Sequence, residues 1–142
     1  MGCYLRVWGE TFDVDGFLAG TTLVWDPVWH KGQRKRIALR GDGNEHLDSG
    51  VTTCVSTAES AKAQVADALA FLRAEAAELK RLLSMPGVTS AYLDFGVLWR
   101  PDSAAQFSQF PPELLSRAGD LGVWLEVSYY AVGGEEEASR SE

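Results

Sequence analysis

Apolar residues recur at steps of four and three through Val65, Leu69, Leu72, Ala76, Leu79 and Leu83. That spacing lays one stripe along a helix of about 27 residues. Ser56-Thr57-Ala58-Glu59 has the capping-box form that would open it, and Pro86-Gly87 would stop it. Around this helix the pattern changes to strands. Tyr4-Leu5-Arg6-Val7-Trp8, Thr22 to Trp29 and Val51 to Val55 are aromatic or β-branched runs. Val88 to Trp99 is a longer strand with Ala91, Leu93, Phe95, Val97 and Trp99 on one face, and Val123 to Tyr130 is the last. Two short helices complete the series. Asp13 caps one carrying Phe17 and Leu18, and Pro111-Pro112-Glu113 opens one carrying Leu114, Leu115 and Ala118.

The order β-α-β-β-α-β-α-β predicts an α+β fold. It is a ferredoxin-like β-α-β-β-α-β sandwich extended by a C-terminal α-β unit, with about five strands and helices on one face. Pro27 cannot donate to a ladder, so the second strand belongs at an edge or carries a bulge. Arg36 to Arg40 extends the hairpin as a short strand, and Gly41-Asp42-Gly43-Asn44 is a turn. Residues 1–132 form one domain; Gly133 to Glu142, without a core-forming residue, is expected to be a disordered acidic tail.

Composition sharpens this picture in one place. The 142 residues carry 13 basic and 20 acidic side chains, a net charge of −7, which argues against general attraction to nucleic acid or anionic membrane. Yet Lys31, Arg34, Lys35, Arg36 and Arg40 lie together with no acid between Lys31 and Arg40. No apolar window is long enough for a membrane span, and the start lacks the pattern of a secretory signal. Cys3 and Cys54 lie in apolar strands and are expected to be buried free thiols in a cytoplasmic protein.

Most catalytic and metal chemistry lacks its motif. His30 and His46 are the only histidines, with Asp42 and Glu45 near the second, and neither His-x-x-x-His nor Cys-x-x-Cys is present. Asp13-Val14-Asp15-Gly16 resembles the middle of a calcium loop, but its twelfth position is Thr22 instead of an acid. Gly41-Asp42-Gly43 begins a dinucleotide fingerprint that fails at His46, and no nucleophile elbow occurs. Asp13, Asp15 and Asp94 could serve as acid and base, but each fits a cap or an exposed strand face.

The basic stretch stands out. Trp25 and Trp29 are expected on one strand face beside Lys31, Arg34, Lys35 and Arg36, a combination suited to an acidic protein partner. The reading is a small cytoplasmic binding domain without catalytic activity, metal or cofactor, using those six residues. Nucleic acid is disfavoured, and a homodimer on exposed sheet is open. The alternative is a metal-dependent hydrolase using His30, His46 and nearby carboxylates.

Three segments in this order carry a family resemblance: Phe12-Asp13-Val14-Asp15-Gly16-Phe17-Leu18, Trp29-His30-Lys31-Gly32, and Leu121 to Tyr130 after a long helix. The chain resembles, over residues 3 to 132, a largely bacterial family catalogued as domain of unknown function 4279. Arg34 to Ser49 has no counterpart in it. The family carries no established activity, so the resemblance bears on fold; small acidic proteins of this type also look similar to immunity proteins that neutralise toxins.

Overall fold

The computed structural model describes residues 1–37 and 43–131. Among these, the elements run β1 (Cys3–Gly9), α1 (Val14–Leu18), β2 (Val28–Trp29), β3 (Ser49–Ser56), α2 (Ala61–Ala74), α3 (Ala76–Leu83), β4 (Ser90–Trp99), α4 (Pro112–Leu121) and β5 (Trp124–Ala131). The chain is an α+β domain built on one mixed sheet of order β2-β3-β1-β4-β5. β2 pairs β3, β3 pairs β1 and β1 pairs β4, all antiparallel, while β4 and β5 are parallel. A parallel pair needs a crossover, and α4 with its preceding loop supplies it.

Alternation along the strands separates two faces. Cys3, Leu5 and Val7 of β1 and Ala91, Leu93, Phe95 and Val97 of β4 are buried. They join Val14 and Phe17 of α1, Val65, Ala68 and Leu72 of α2, Leu79 and Leu82 of α3, and Leu114 and Ala118 of α4 in one cluster. All four helices therefore cover the same face. Gln64 ties α2 to the sheet, its Nε2 donating to the carbonyls of Gly96 (2.8 Å) and Ala58 (2.9 Å). The opposite face carries Tyr4, Arg6 and Trp8 of β1, Gly50, Thr52 and Cys54 of β3, Tyr92 and Asp94 of β4, and Trp124, Glu126, Ser128 and Tyr130 of β5, as the registers require.

Several local expectations change. The second strand is only Val28–Trp29 instead of Thr22 to Trp29. Its first half turns inward because Trp25 has a partner there: its ring meets Phe17 edge-on at 5.4 Å, and its Nε1 donates to Thr21 Oγ1 at 3.1 Å. An aromatic pair of this kind adds about 0.5–1.5 kcal/mol to the burial of the indole itself. The long helix is two helices, kinked at Glu75 (φ −105, ψ 17). Ala74, Glu75 and Ala76 all favour helix, so tertiary packing sets this kink and local propensity does not. Ser60, one turn later than the expected capping box, is the N-cap and accepts from Ala63 N, because Ser56 is still in β3. Ser56 Oγ instead donates to Asp67 at 2.6 Å. Cys54 is exposed, contrary to expectation, because its place opposite Tyr4 puts it on the face without helices; Cys3 is buried as expected. Ala38 to Asp42 and the tail from Gly133 to Glu142 lie outside the described residues.

Candidate functional site

The helix-free face holds a cleft of about 650 Å³ over β1, β2 and β3. Its floor is Tyr4, Arg6, Trp8 and Thr52, and its walls are Pro27, Trp29, Lys35, His46, Leu47 and Asp48. The floor follows from the alternation in β1, which sends Leu5 and Val7 to the core and the other three residues here. The walls follow from the connection between β2 and β3, which folds back on itself. Gly32 N donates to His46 O, His46 N to Gln33 O and Lys35 N to Asn44 O, each at 2.8 Å. Arg34 and Glu45 form a bridge pair in the same ribbon. Gly32 turns the ribbon with φ +84, a conformation that suits a residue without Cβ.

Trp29 is held in place from three directions. Its Nε1 donates to Asp48 Oδ1 at 2.8 Å, and its ring stacks on His46 at 6.0 Å and 29°. Beneath it, Gly50 leaves the space the indole fills, since a Cβ there would lie 2.2 Å from Cζ2. On the floor, Trp8 stacks on Tyr92 at 5.1 Å and 16°, and Tyr92 continues to Trp124 at 6.1 Å. Arg6 pairs with buried Asp94 at 3.3 Å, and Ser128 Oγ donates to the other Asp94 oxygen at 2.6 Å. This carboxylate orients the guanidinium while Arg6 remains 46% exposed in its side chain. The site thus combines two pinned or stacked indoles with two cationic side chains, Arg6 and Lys35.

The six residues expected to form a partner surface separate into four groups. Trp25 is core, 8% exposed, and leaves the candidate site. Trp29 and Lys35 line the cleft. Lys31 points its ammonium to Glu10 at 2.8 Å, which holds the Glu10 carboxyl below its usual range through that hydrogen bond. Arg34 and Arg36 are exposed and line a neighbouring hollow with Ile37. Sequence reasoning placed Tyr4, Arg6 and Trp8 in a strand but gave them no site role. The signal was the alternation itself, which puts one cation and two aromatics on a single face.

Among the described residues, the side chains considered for catalysis lie apart. His30 Nε2 contacts Asp15 Oδ1 at 2.9 Å, and this hydrogen bond raises the His30 pKa. Its Nδ1 faces Gln33, whereas His46 lies against Trp29. Among the described residues no three His, Cys, Asp or Glu side chains gather as a metal site would need; Asp42, one of the carboxylates considered, lies outside them. Asp13 caps α1 by accepting from Gly16 N at 3.0 Å, so the three acids considered as acid and base serve separate structural contacts. Among the described residues no helix is long and apolar enough to cross a membrane. Comparison with known proteins finds no matching family model, curated protein or solved structure.

Proposed function

We propose that the protein is a binding domain whose site is the cleft on the open sheet face, and that it takes an acidic ligand carrying a planar ring. The observation that carries this is Trp29 fixed between Asp48, His46 and Gly50, with Trp8, Arg6 and Lys35 lining the same cleft. A volume of about 650 Å³ is in the ordinary range for small-ligand sites. Pre-organised indoles offer flat apolar area without an ordering cost on binding, and the two cations supply charge-assisted hydrogen bonds to an acid. The proposal includes a ferredoxin-like core, supported by the antiparallel order β2-β3-β1-β4. It includes a cytoplasmic location, supported by two free cysteines. It includes membership of the domain of unknown function 4279 family, supported by the motif order.

Calorimetric titration with 2-naphthoate, a planar carboxylate, tests the reading. The expected dissociation constant lies between about 10 μM and 1 mM for a ligand of this size. Its uncharged analogue 2-naphthalenemethanol should bind about tenfold or more weakly, because hydrogen bonds to charged groups contribute roughly 1.5–3 kcal/mol. Arg6→Gln should erase much of that difference. Equal affinity for acid and alcohol, or no saturable binding of either, would overturn the proposal.

A second reading, an immunity-like role, is an acidic protein partner seated on the rim. Arg34 and Arg36 are exposed there beside Ile37, itself 80% exposed. The variant Arg34→Glu, Arg36→Glu should then weaken capture of a partner from host lysate and reduce the salt dependence of what binding remains. Retention of the partner by this variant would exclude the rim.

A further inference from the structure

The two edges of the sheet are treated differently. β2 is two residues long, follows Pro27 and leads into the folded connection. Such features blunt an edge against further pairing. β5 has none of them. It runs eight residues, Trp124-Leu125-Glu126-Val127-Ser128-Tyr129-Tyr130-Ala131, without proline or lysine, and pairs β4 over its whole length with no register shift. It is also where exposed aromatic surface collects. Of the strongly exposed aromatic side chains Trp99, Phe107, Trp124, Tyr129 and Tyr130, all but Phe107 are on β5 or at the β4 end paired with it. Trp99 and Tyr129 meet edge-on at 6.1 Å on the face that carries the helices, while Trp124 and Tyr130 stand on the open face, so both faces of this edge present aromatic surface.

We infer that the chain forms a two-fold dimer in which β5 pairs antiparallel with β5 of a second copy, joining the two sheets. The occupant follows from the strand's own symmetry about Val127. Centred there, Trp124 faces Tyr130 of the second copy, Leu125 faces Tyr129 and Glu126 faces Ser128, each pair on one sheet face. Aromatic and apolar cross-strand pairs of this kind stabilise a ladder, and no like charges are opposed. Moving the centre to Glu126 sets the strand's only charged side chains directly against each other. Moving it to Ser128 strands Trp124 without a partner residue in the strand. A two-fold contact requires a self-complementary patch, and β5 is one in this register. The dimer leaves the cleft over β1, β2 and β3 open, and its Trp124 reaches the cleft floor only through Tyr92.

The full chain should show by light scattering twice its 15.5 kDa mass at micromolar concentration. Trp124→Lys, Tyr130→Lys sets lysine against lysine across the dyad and should weaken dimerisation at least tenfold. Trp124→Lys, Tyr130→Glu should restore it, which separates loss of pairing from loss of folding. In a Cys54→Ser background, Val127→Cys faces its own copy at a Cα separation of about 4.5–5.5 Å, within disulfide reach. Mild oxidation should then link it covalently. Tyr129→Cys, four residues from its own copy across the dyad, should link at least tenfold more slowly. A monomeric wild type, a dimer that survives the double lysine, or equal linking at positions 127 and 129 would overturn the inference.

Discussion

Gly50→Ala probes the element on which the proposed site depends. The new Cβ would lie 2.2 Å from Trp29 Cζ2 and 2.7 Å from Cε2 and Cη2. Contact between carbons is comfortable at about 3.5–4.0 Å, so the half-buried indole has to leave. Leaving breaks the 2.8 Å bond from Nε1 to Asp48 and the stack on His46. A hydrogen bond to a charged acceptor contributes about 1.5–3 kcal/mol, and partial exposure favours the lower end. Against this, Gly50 is not among the glycines with positive φ, so alanine suits the backbone and restricts the unfolded chain. That effect stabilises by about 0.4–1 kcal/mol. The expected net loss is about 1 kcal/mol, measured by urea unfolding followed by circular dichroism. In a Trp29→Ala background the clash disappears, and Gly50→Ala should be neutral or stabilising. The coupling energy between the two positions should therefore be about 1–2 kcal/mol. Equal costs of Gly50→Ala in both backgrounds would refute the geometry assigned to Trp29.

Other expectations follow from titratable and buried groups. Burial beside Asp94 pushes the Cys3 thiol up to about 12, while Cys54 is exposed. One thiol should react quickly with Ellman's reagent in the native protein, and Cys54→Ser should abolish that fast phase. Hydrogen bonds from Arg73 and Arg117 hold Glu113 at about 2, below its usual 4.5. Its stabilisation should be present above pH 4.5 and lost as pH falls toward 2, so the unfolding curves of wild type and Glu113→Gln should converge there. His30 is shifted the other way by Asp15, so its contribution should be full below its ordinary pKa and lost as pH rises through the raised one. Asp15→Asn should remove that dependence; an unchanged stability profile across neutral pH would contradict the pair. Gln64→Met should destabilise by about 1–3 kcal/mol, because the carbonyls of Gly96 and Ala58 lose their Nε2 donor. A loss below the error of the unfolding measurement would show that α2 does not need the amide.

Periodicity marked much of the core in advance, although Ala76 of the helical stripe is exposed and Leu82, outside it, is buried. Alternation in β4 marked Ala91, Leu93, Phe95 and Val97 correctly, and the proline pair marked the start of α4. The kink at Glu75 was illegible because it lies among strong helix formers. Trp25 was misplaced because a strand pattern cannot tell an indole that turns inward to Phe17 from one that stays on the sheet. The basic residues were conspicuous as a run, yet the fold divides them: Lys31 goes to Glu10 and Lys35 to the cleft, while Arg34 and Arg36 stay on the rim. The cleft draws on Trp8, Trp29 and Asp48, positions far apart in sequence that only the sheet register and the folded connection bring together. Arg6 gains its role from Asp94, a contact no spacing along the chain announces.

The central claim is that the two indoles of the cleft, fixed as they are, receive a planar acid. Its most direct test is the indole N–H region of a nitrogen-15 correlation spectrum recorded during titration with 2-naphthoate. Trp29 and Trp8, assigned by single Trp→Phe variants, should shift together and saturate on one curve. Buried Trp25 should stay still, and the Trp29 response should vanish in Gly50→Ala. Saturation confined to Trp124, or no indole shift at any concentration, would contradict the account.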